Sequence, residues 1–204
     1  MGTRKYDQRL RAEAALQTRT RILEAVEQRL RTAPAEPLAL DKVAEIAGVA
    51  RSTIYTVFGS RAGLFDAFTD ELWQRNGLGD LTAAVRAPDA RAHLRDGIRA
   101  ACRMFAGELP VYRVLFSMAR LDPDSMGGAV AAKERDRSGG MTHLARRLDD
   151  QGALRPGLSV EHAADILWVL CSFEAFDLLH TGRGMDVDEA AASLADTAEQ
   201  ALCR

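Results

Sequence analysis

Residues 42–65 read Lys-Val-Ala-Glu-Ile-Ala-Gly-Val-Ala-Arg-Ser-Thr-Ile-Tyr-Thr-Val-Phe-Gly-Ser-Arg-Ala-Gly-Leu-Phe, and they decide the fold. Two short apolar-periodic segments flank a single glycine, Gly48. A pair of helices that meets steeply through a turn of three or four residues is a helix-turn-helix. The first segment is expected to bury Val43, Ile46 and Ala47. Gly48 can take the positive φ that ends it, and Val49 fills the corner between the helices. The second segment, residues 51–58, turns Ile54 and Phe58 inward at i, i+4 spacing. Its outer face is then Arg51, Ser52, Tyr55 and Thr56, with Thr53 at the margin. A short, hydroxyl-rich face with one cation suits a major groove, where such groups meet base edges and phosphates. A surface helical hairpin with no ligand would carry the same pattern, so the motif alone is a hypothesis.

The stretch Ile-Ala-Gly-Val-Ala-Arg-Ser-Thr-Ile-Tyr-Thr-Val-Phe-Gly-Ser-Arg (46–61) resembles the signature of the TetR/AcrR family of one-component transcriptional regulators. Thr-Arg-Thr-Arg-Ile-Leu-Glu-Ala-Val (18–26) resembles that family's first helix, and Leu64-Phe65-Asp66-Ala67-Phe68 the start of its fourth. The resemblance is continuous over residues 18–72 and rests on specific residues. Beyond that range it extends only to length, helical character and Gly-Ala-Leu-Arg-Pro-Gly-Leu (152–158), similar to the approach to the family's penultimate long helix. It implies an all-α chain with an N-terminal three- or four-helix DNA-binding domain and a C-terminal helical domain for ligand binding and dimerisation. The expected domains are residues 1–77, with a core at 18–72 and a basic arm at 1–17, and residues 78–204.

The resemblance also assigns roles. Thr53, Tyr55 and Arg61 match family positions that commonly meet phosphates, which leaves Arg51, Ser52 and Thr56 for base edges. An arginine can contact guanine bidentately, and a threonine methyl can lie against thymine. The sequence departs from the family pattern just before the turn. Positions 38–40 read Leu-Ala-Leu where threonines are usual, and Asp41 stands where a cation often approaches a phosphate. The helix there is expected to start at Asp41 with an acidic cap, or to lean on Glu36.

Charge distribution agrees with a nucleic-acid-binding head on a body of another kind. The net charge is −2, but residues 1–61 hold eleven Lys/Arg against seven Asp/Glu, and the remainder sixteen against twenty-two. A basic part on an acidic body fits that division of labour, although many solvated helices share it. With 204 residues, 47% of them hydrophobic, the chain can bury a sizeable core in one domain or two. No alternating β pattern of useful length is present, so the reading is all-α. Cys102, Cys171 and Cys203 are odd in number and far apart, which suits a reducing cytoplasm rather than a disulfide framework. No apolar run reaches membrane-spanning length, and Met-Gly-Thr-Arg-Lys-Tyr-Asp does not read as a signal peptide.

Arg4, Lys5, Arg9 and Arg11 punctuate residues 1–17, read either as an extension of the first helix or as an arm lying along DNA. The first well-defined helix is expected over 18–32, with Ile22, Leu23, Val26 and Leu30 on one face. Thr-Ala-Pro-Ala-Glu-Pro (32–37) breaks it. A fourth helix opens at Ser60 as N-cap, buries Leu64, Phe65, Phe68 and Leu72, and ends near Asn76-Gly77. Further helices are expected over 88–107, 111–121, 127–150, 160–180 and 186–203. Asp122-Pro123 and Arg155-Pro156-Gly157 are breaks, and a kink is expected at Gly127-Gly128 or Gly139-Gly140.

The last helix carries Ala191, Leu194, Ala195, Ala198 and Ala201 as a small-residue stripe, and the helix before it offers Ile166, Val169 and Phe176. In the resembled family the last two long helices pair with their two-fold mates as a four-helix bundle, so these residues are the expected interface of a homodimer. The helical body of the resembled family encloses a small-molecule pocket, for which Met104, Phe105, Tyr112, Phe116, Met118, His143, Trp168 and Phe173 are candidate walls, although residues of these types are more often plain core. No cofactor or metal is expected. His93, His143, His162 and His180 are scattered, His162 and Asp165 lack further clustered ligands, and no catalytic motif is present, so an enzyme is not expected. The partners implied are a palindromic double-stranded operator, an unidentified effector and a second copy of the chain, with no membrane. The resemblance makes repression the default. An activator of the same family, or a helical ligand-binding or scaffold dimer without sequence-specific DNA binding, are the alternatives.

Overall fold

The computed structural model describes residues 3–121 and 128–204, with side chains from residue 8 onward. Asp122-Pro123, Gly127 and the side chains of Arg4 and Lys5 therefore lie outside the described residues. Most of the described residues are helical, in α1 Thr3–Thr32, α2 Leu40–Ala47, α3 Arg51–Phe58, α4 Arg61–Arg75, α5 Leu78–Val85, α6 Ala90–Gly107, α7 Leu109–Leu121, α8 Ala129–Asp150, α9 Val160–Leu170, α10 Phe173–His180 and α11 Val187–Leu202. Among the described residues the isolated β-type bridge is Leu154 opposite Cys203, and no helix is long and apolar enough to cross a membrane. The chain divides into two compact units, residues 1–71 with 113–130 and residues 72–112 with 131–204.

In the first unit, Ile22, Leu23, Val26 and Leu30 of α1 are buried as expected. The helix starts fifteen residues before position 18, at Thr3. Residues 8–17 are exposed but free of Gly and Pro and rich in Ala, Arg, Leu and Gln. High intrinsic propensity therefore extends the helix past the apolar stripe that marks its packed part. An Arg9–Glu13 pair (2.9 Å) adds a few tenths of a kcal/mol at most. The break after Thr32 is organised by Arg29, which is buried and spans the helix end. Its Nη1 donates to the Ala33 carbonyl (3.0 Å) and its Nη2 to Glu36 Oε2 (2.6 Å). A cation at a helix C-terminus is favourable electrostatically and satisfies carbonyls the helix leaves open. Glu36 is thus engaged with α1 rather than with the start of α2. That helix begins at Leu40, with Ala39 as N-cap and no side-chain cap.

α4 opens as the sequence predicts: Ser60 Oγ accepts from the Gly63 N–H at 2.9 Å, and Leu64, Phe65, Phe68 and Leu72 are buried. Gly63 is a close-approach glycine, since a methyl group there would collide with the Phe58 carbonyl oxygen of α3.

In the second unit α11 lies antiparallel along α6. Arg95 meets Glu199 (2.7 Å) and Arg103 meets Asp188 (3.0 Å) at opposite ends of the seam. Ala190, Ala191, Leu194, Ala195, Ala198 and Leu202 are buried on α11. The small size of the four alanines among them lets α11 approach α6 closely. Asp186 and Glu189 form a reciprocal capping box at the start of α11. The loop before α6 is held by Arg147, whose guanidinium donates to the carbonyls of Val85 (2.8 Å), Ala87 and Pro88 (3.1 Å) and approaches His93 Nδ1 at 3.1 Å. Burial first, then the nearby Arg147 charge, lowers the His93 pKa to about 4 and keeps the imidazole a neutral acceptor.

Three further expectations change. The helix expected over 160–180 is two helices, α9 and α10, because the Ser172 hydroxyl donates to the Val169 carbonyl (2.8 Å) and accepts from the Ala175 N–H (3.1 Å). A serine that caps a new helix competes with continuation of the old one. α5 has no counterpart among the expected helices; its one buried residue, Ala84, gives little periodic signal. α8 runs unbroken through Gly139-Gly140, where no neighbouring atom would meet an added Cβ. Gly139→Ala is expected to raise the urea-unfolding free energy by about 0.5–1 kcal/mol. Gly63→Ala is expected to lower it by at least that much, because the backbone of Phe58 must shift.

Candidate nucleic-acid interface

The interface is built from the turn outward. Gly48 adopts φ 64°, ψ 40°, and its N–H reaches the Glu45 carbonyl while Val49 N–H reaches the Ala44 carbonyl (3.0 Å). This is a Schellman closure, which satisfies the last carbonyls of α2 and fixes the direction in which the chain leaves. Val43, Ala44 and Ala47 are buried under α2, with Leu40. Ile46 is 38% exposed, contrary to expectation. Leu40, Val43, Ala44 and Ala47 complete the i, i+3, i+4, i+7 face, which leaves Ile46 on the flank.

α3 is anchored by Ile54, which is fully buried. Phe58 is half-buried, and the Arg19 guanidinium of α1 lies 4.9 Å from its ring centre. Arg51, Ser52, Tyr55 and Thr56 are exposed and Thr53 is half-buried, so the five side chains assigned to the outer face stand there. Two of the cations are already engaged. Arg51 Nη1 donates to both carboxylate oxygens of Asp41, at 3.0 and 3.2 Å. Its guanidinium carbon is 6.0 Å from the centre of the Tyr55 ring. A hydrogen bond with Tyr55, then the Asp41 charge, raises the Arg51 pKa. Arg61, matched in sequence to a phosphate position, donates from Nη1 to the Leu38 carbonyl (2.8 Å) and lies 5.2 Å from the centre of the Phe65 ring. It thereby ties the start of α4 to the chain that enters α2. The Asp41–Arg51 pairing across the turn is not among the sequence expectations, although opposite charges at the starts of two helices joined by a tight turn are a signal for it.

The candidate pocket residues divide. Met104, Phe105, Tyr112 and Phe173 are buried in the second unit, where Phe105 meets Tyr112 (5.5 Å) and Phe173 (5.4 Å) edge to face and Trp73 meets Tyr112 (4.8 Å) likewise. Trp73 and Phe176, not among the expected wall residues, belong to the same aromatic cluster. Phe116 is buried and Met118 half-buried, both in the part of α7 that belongs to the first unit. His143 is exposed. Trp168 is at the surface, with the Arg137 guanidinium 3.5 Å over its ring.

The expected subunit interface divides too. Ala191, Leu194, Ala195 and Ala198 are buried inside the single chain because α11 turns this face to α6, and Phe176 of α10 is buried beside Phe105. Ile166, Val169 and Ala201 remain accessible and line an open groove of about 750 Å³ between α9 and α11. His162 and Asp165 line the same groove, and among the described residues no group of three or more His, Cys, Asp or Glu is gathered to hold a metal. Burial pushes the Cys102 and Cys171 thiols up to about 12, so neither offers a thiolate near neutral pH.

No protein-family model matches the sequence, and no curated protein matches it. Solved structures do. The fold is that of the TetR-family transcriptional regulators. NalD, the secondary repressor of the MexAB-OprM multidrug efflux pump in Pseudomonas aeruginosa, is similar at a TM-score of 0.71 and 24% identity, over 94% of this chain and 98% of its own. A TetR-family regulator from Marinobacter aquaeolei is similar at 0.69 and 16% identity, over 96% and 98%. PfmR from Thermus thermophilus is similar at 0.66 and 17% identity, over 88% and 97%.

Arg61→Ala is expected to cost about 1–2 kcal/mol of stability through loss of its partly buried bond to the Leu38 carbonyl. The check is urea unfolding together with faster amide exchange at Lys42 and Val43, the first amides of α2 that donate to a backbone carbonyl, that of Ala39.

Proposed function

We propose that the chain is a dimeric, ligand-responsive transcriptional repressor that binds an inverted-repeat operator through α3. The observation that carries this reading is the composition of α3. One buried anchor, Ile54, holds a helix whose other outward positions are Arg51, Ser52, Tyr55 and Thr56, all exposed. Side chains of these types meet phosphates and base edges, and an eight-residue helix fits the width of a major groove. The fold shared with NalD and PfmR supports the same reading. A single short helix reads few base pairs, so two copies in successive grooves give an operator with two-fold symmetry.

The groove between α9 and α11 supports the dimer. Val169 is 61% exposed, and Leu178 on α10 is 69% exposed. Such apolar surface is suited to a second copy. An effector site of apolar character is placed, as part of this proposal, beside the Phe105, Tyr112 and Phe173 cluster of the second unit. An effector releases DNA by binding one conformation of the dimer more tightly than the other, and the coupling is reciprocal.

Binding to DNA from the chain's own upstream region tests the reading, by mobility shift against unrelated competitor and by footprinting. A protected inverted repeat is the expected result. Tyr55→Phe should weaken binding to all operators alike, whereas Arg51→Ala should relax preference at one position of each half-site, by roughly 1–3 kcal/mol. Uniform weakening by Arg51→Ala across operators substituted one position at a time would remove its base-reading role. Val169→Glu should shift the chain from dimer to monomer in sedimentation, and an unchanged dimer would place the interface elsewhere.

A further inference from the structure

Asp41 is an acidic residue on a surface that would face phosphates, and it is bound to the cation best placed to read a base. The pair joins the first turn of α2 to the first residue of α3, ten residues apart, with side chains 69% and 53% exposed. The first turn of a recognition helix is the part that approaches base edges. Both carboxylate oxygens meet the same nitrogen, Nη1. A guanidinium has a second edge, Nε with Nη2, whose two donors match the O6 and N7 acceptors of guanine. Arg51 can therefore present that edge to a base, giving up its hydrogen bond with Tyr55, while Nη1 stays on Asp41. The carboxylate meanwhile repels the phosphates toward which a long, flexible arginine would otherwise stray.

We infer that Asp41 determines specificity at this surface, holding Arg51 in position for guanine and withholding it from phosphates of arbitrary sequence. The inference rests on the DNA-binding reading above and adds a residue that the helix-turn-helix pattern does not assign. An exposed ion pair holds by a factor of about five or less. A bidentate guanine contact discriminates by roughly five- to a hundredfold. Asp41 is thus strong enough to bias a weak contact and too weak to oppose a specific one.

The experiment is a double-mutant cycle with Asp41→Asn, which keeps size and removes charge, Arg51→Ala, and both together. Because the pair is exposed, all three should fold, and circular dichroism confirms it. Affinities are measured by fluorescence anisotropy for the footprinted operator, for operators changed singly at each half-site position, and for an unrelated duplex. Asp41→Asn is expected to tighten the unrelated duplex about three- to tenfold. It should leave the operator within about twofold and flatten preference at the position that Arg51→Ala also relaxes. In the Arg51→Ala background, Asp41→Asn should move operator and unrelated duplex by equal factors. An unchanged operator-to-unrelated ratio in Asp41→Asn overturns the inference, as does an equal fall in that ratio when Arg51 is already absent. Failure of the unsubstituted protein to protect any sequence is a separate result that overturns the DNA-binding reading itself and this inference with it.

Discussion

The first unit depends on how an eight-residue helix is held in place. Isolated helices of this length do not persist in water, because nucleation costs more than so few hydrogen bonds return. α3 persists because Ile54 is fully buried, because the Schellman closure at Gly48 directs the chain into it, and because Phe58 is covered by Arg19. The Ile54 and Phe58 contacts lie on one side of the helix, which leaves Arg51, Ser52, Tyr55 and Thr56 exposed on the other. Gly63 completes the arrangement by letting the Phe58 carbonyl approach α4 without obstruction. Economy of anchoring and availability for binding are two descriptions of the same packing.

The second unit solves a different problem. Its longest contact, α6 against α11, depends on alanines rather than large side chains, and places ion pairs at both ends of the seam. Small residues forgo area per side chain but allow close approach of two backbones, so dispersion contacts accumulate along the whole length. The Arg147 clamp does comparable work in the loop before α6, where a guanidinium gathers carbonyls that no helix satisfies.

Local features were readable from residues alone. The turn at Gly48, the Ser60 cap, the buried face of α4 and the exposed side chains of α3 depend on neighbours within a few positions, and each stands where the sequence placed it. What was not readable depends on contacts distant in the chain. An alanine stripe at helical spacing announces that something packs closely, but not whether the partner is another subunit or α6 of the same chain. Trp168 and His143 have the composition of pocket residues and stand at the surface instead. The break at Ser172 is the intermediate case: the serine was visible, but an apolar run on both sides masked its capping role. Arg61 shows the converse. Its charge suited a phosphate, and its carbonyl partner Leu38 lies 23 residues away in sequence.

The chain has two tryptophans, and the structure puts them in opposite settings. Trp73 is enclosed beside Tyr112 in the aromatic cluster, whereas Trp168 lies at the surface with a guanidinium stacked on its ring. Their indoles therefore differ in polarity, in access to a dissolved quencher and in neighbouring charge. The protein carries two intrinsic optical labels, one for the interior of the second unit and one for the surface of α9. Events at the two places can be followed separately without attaching a dye.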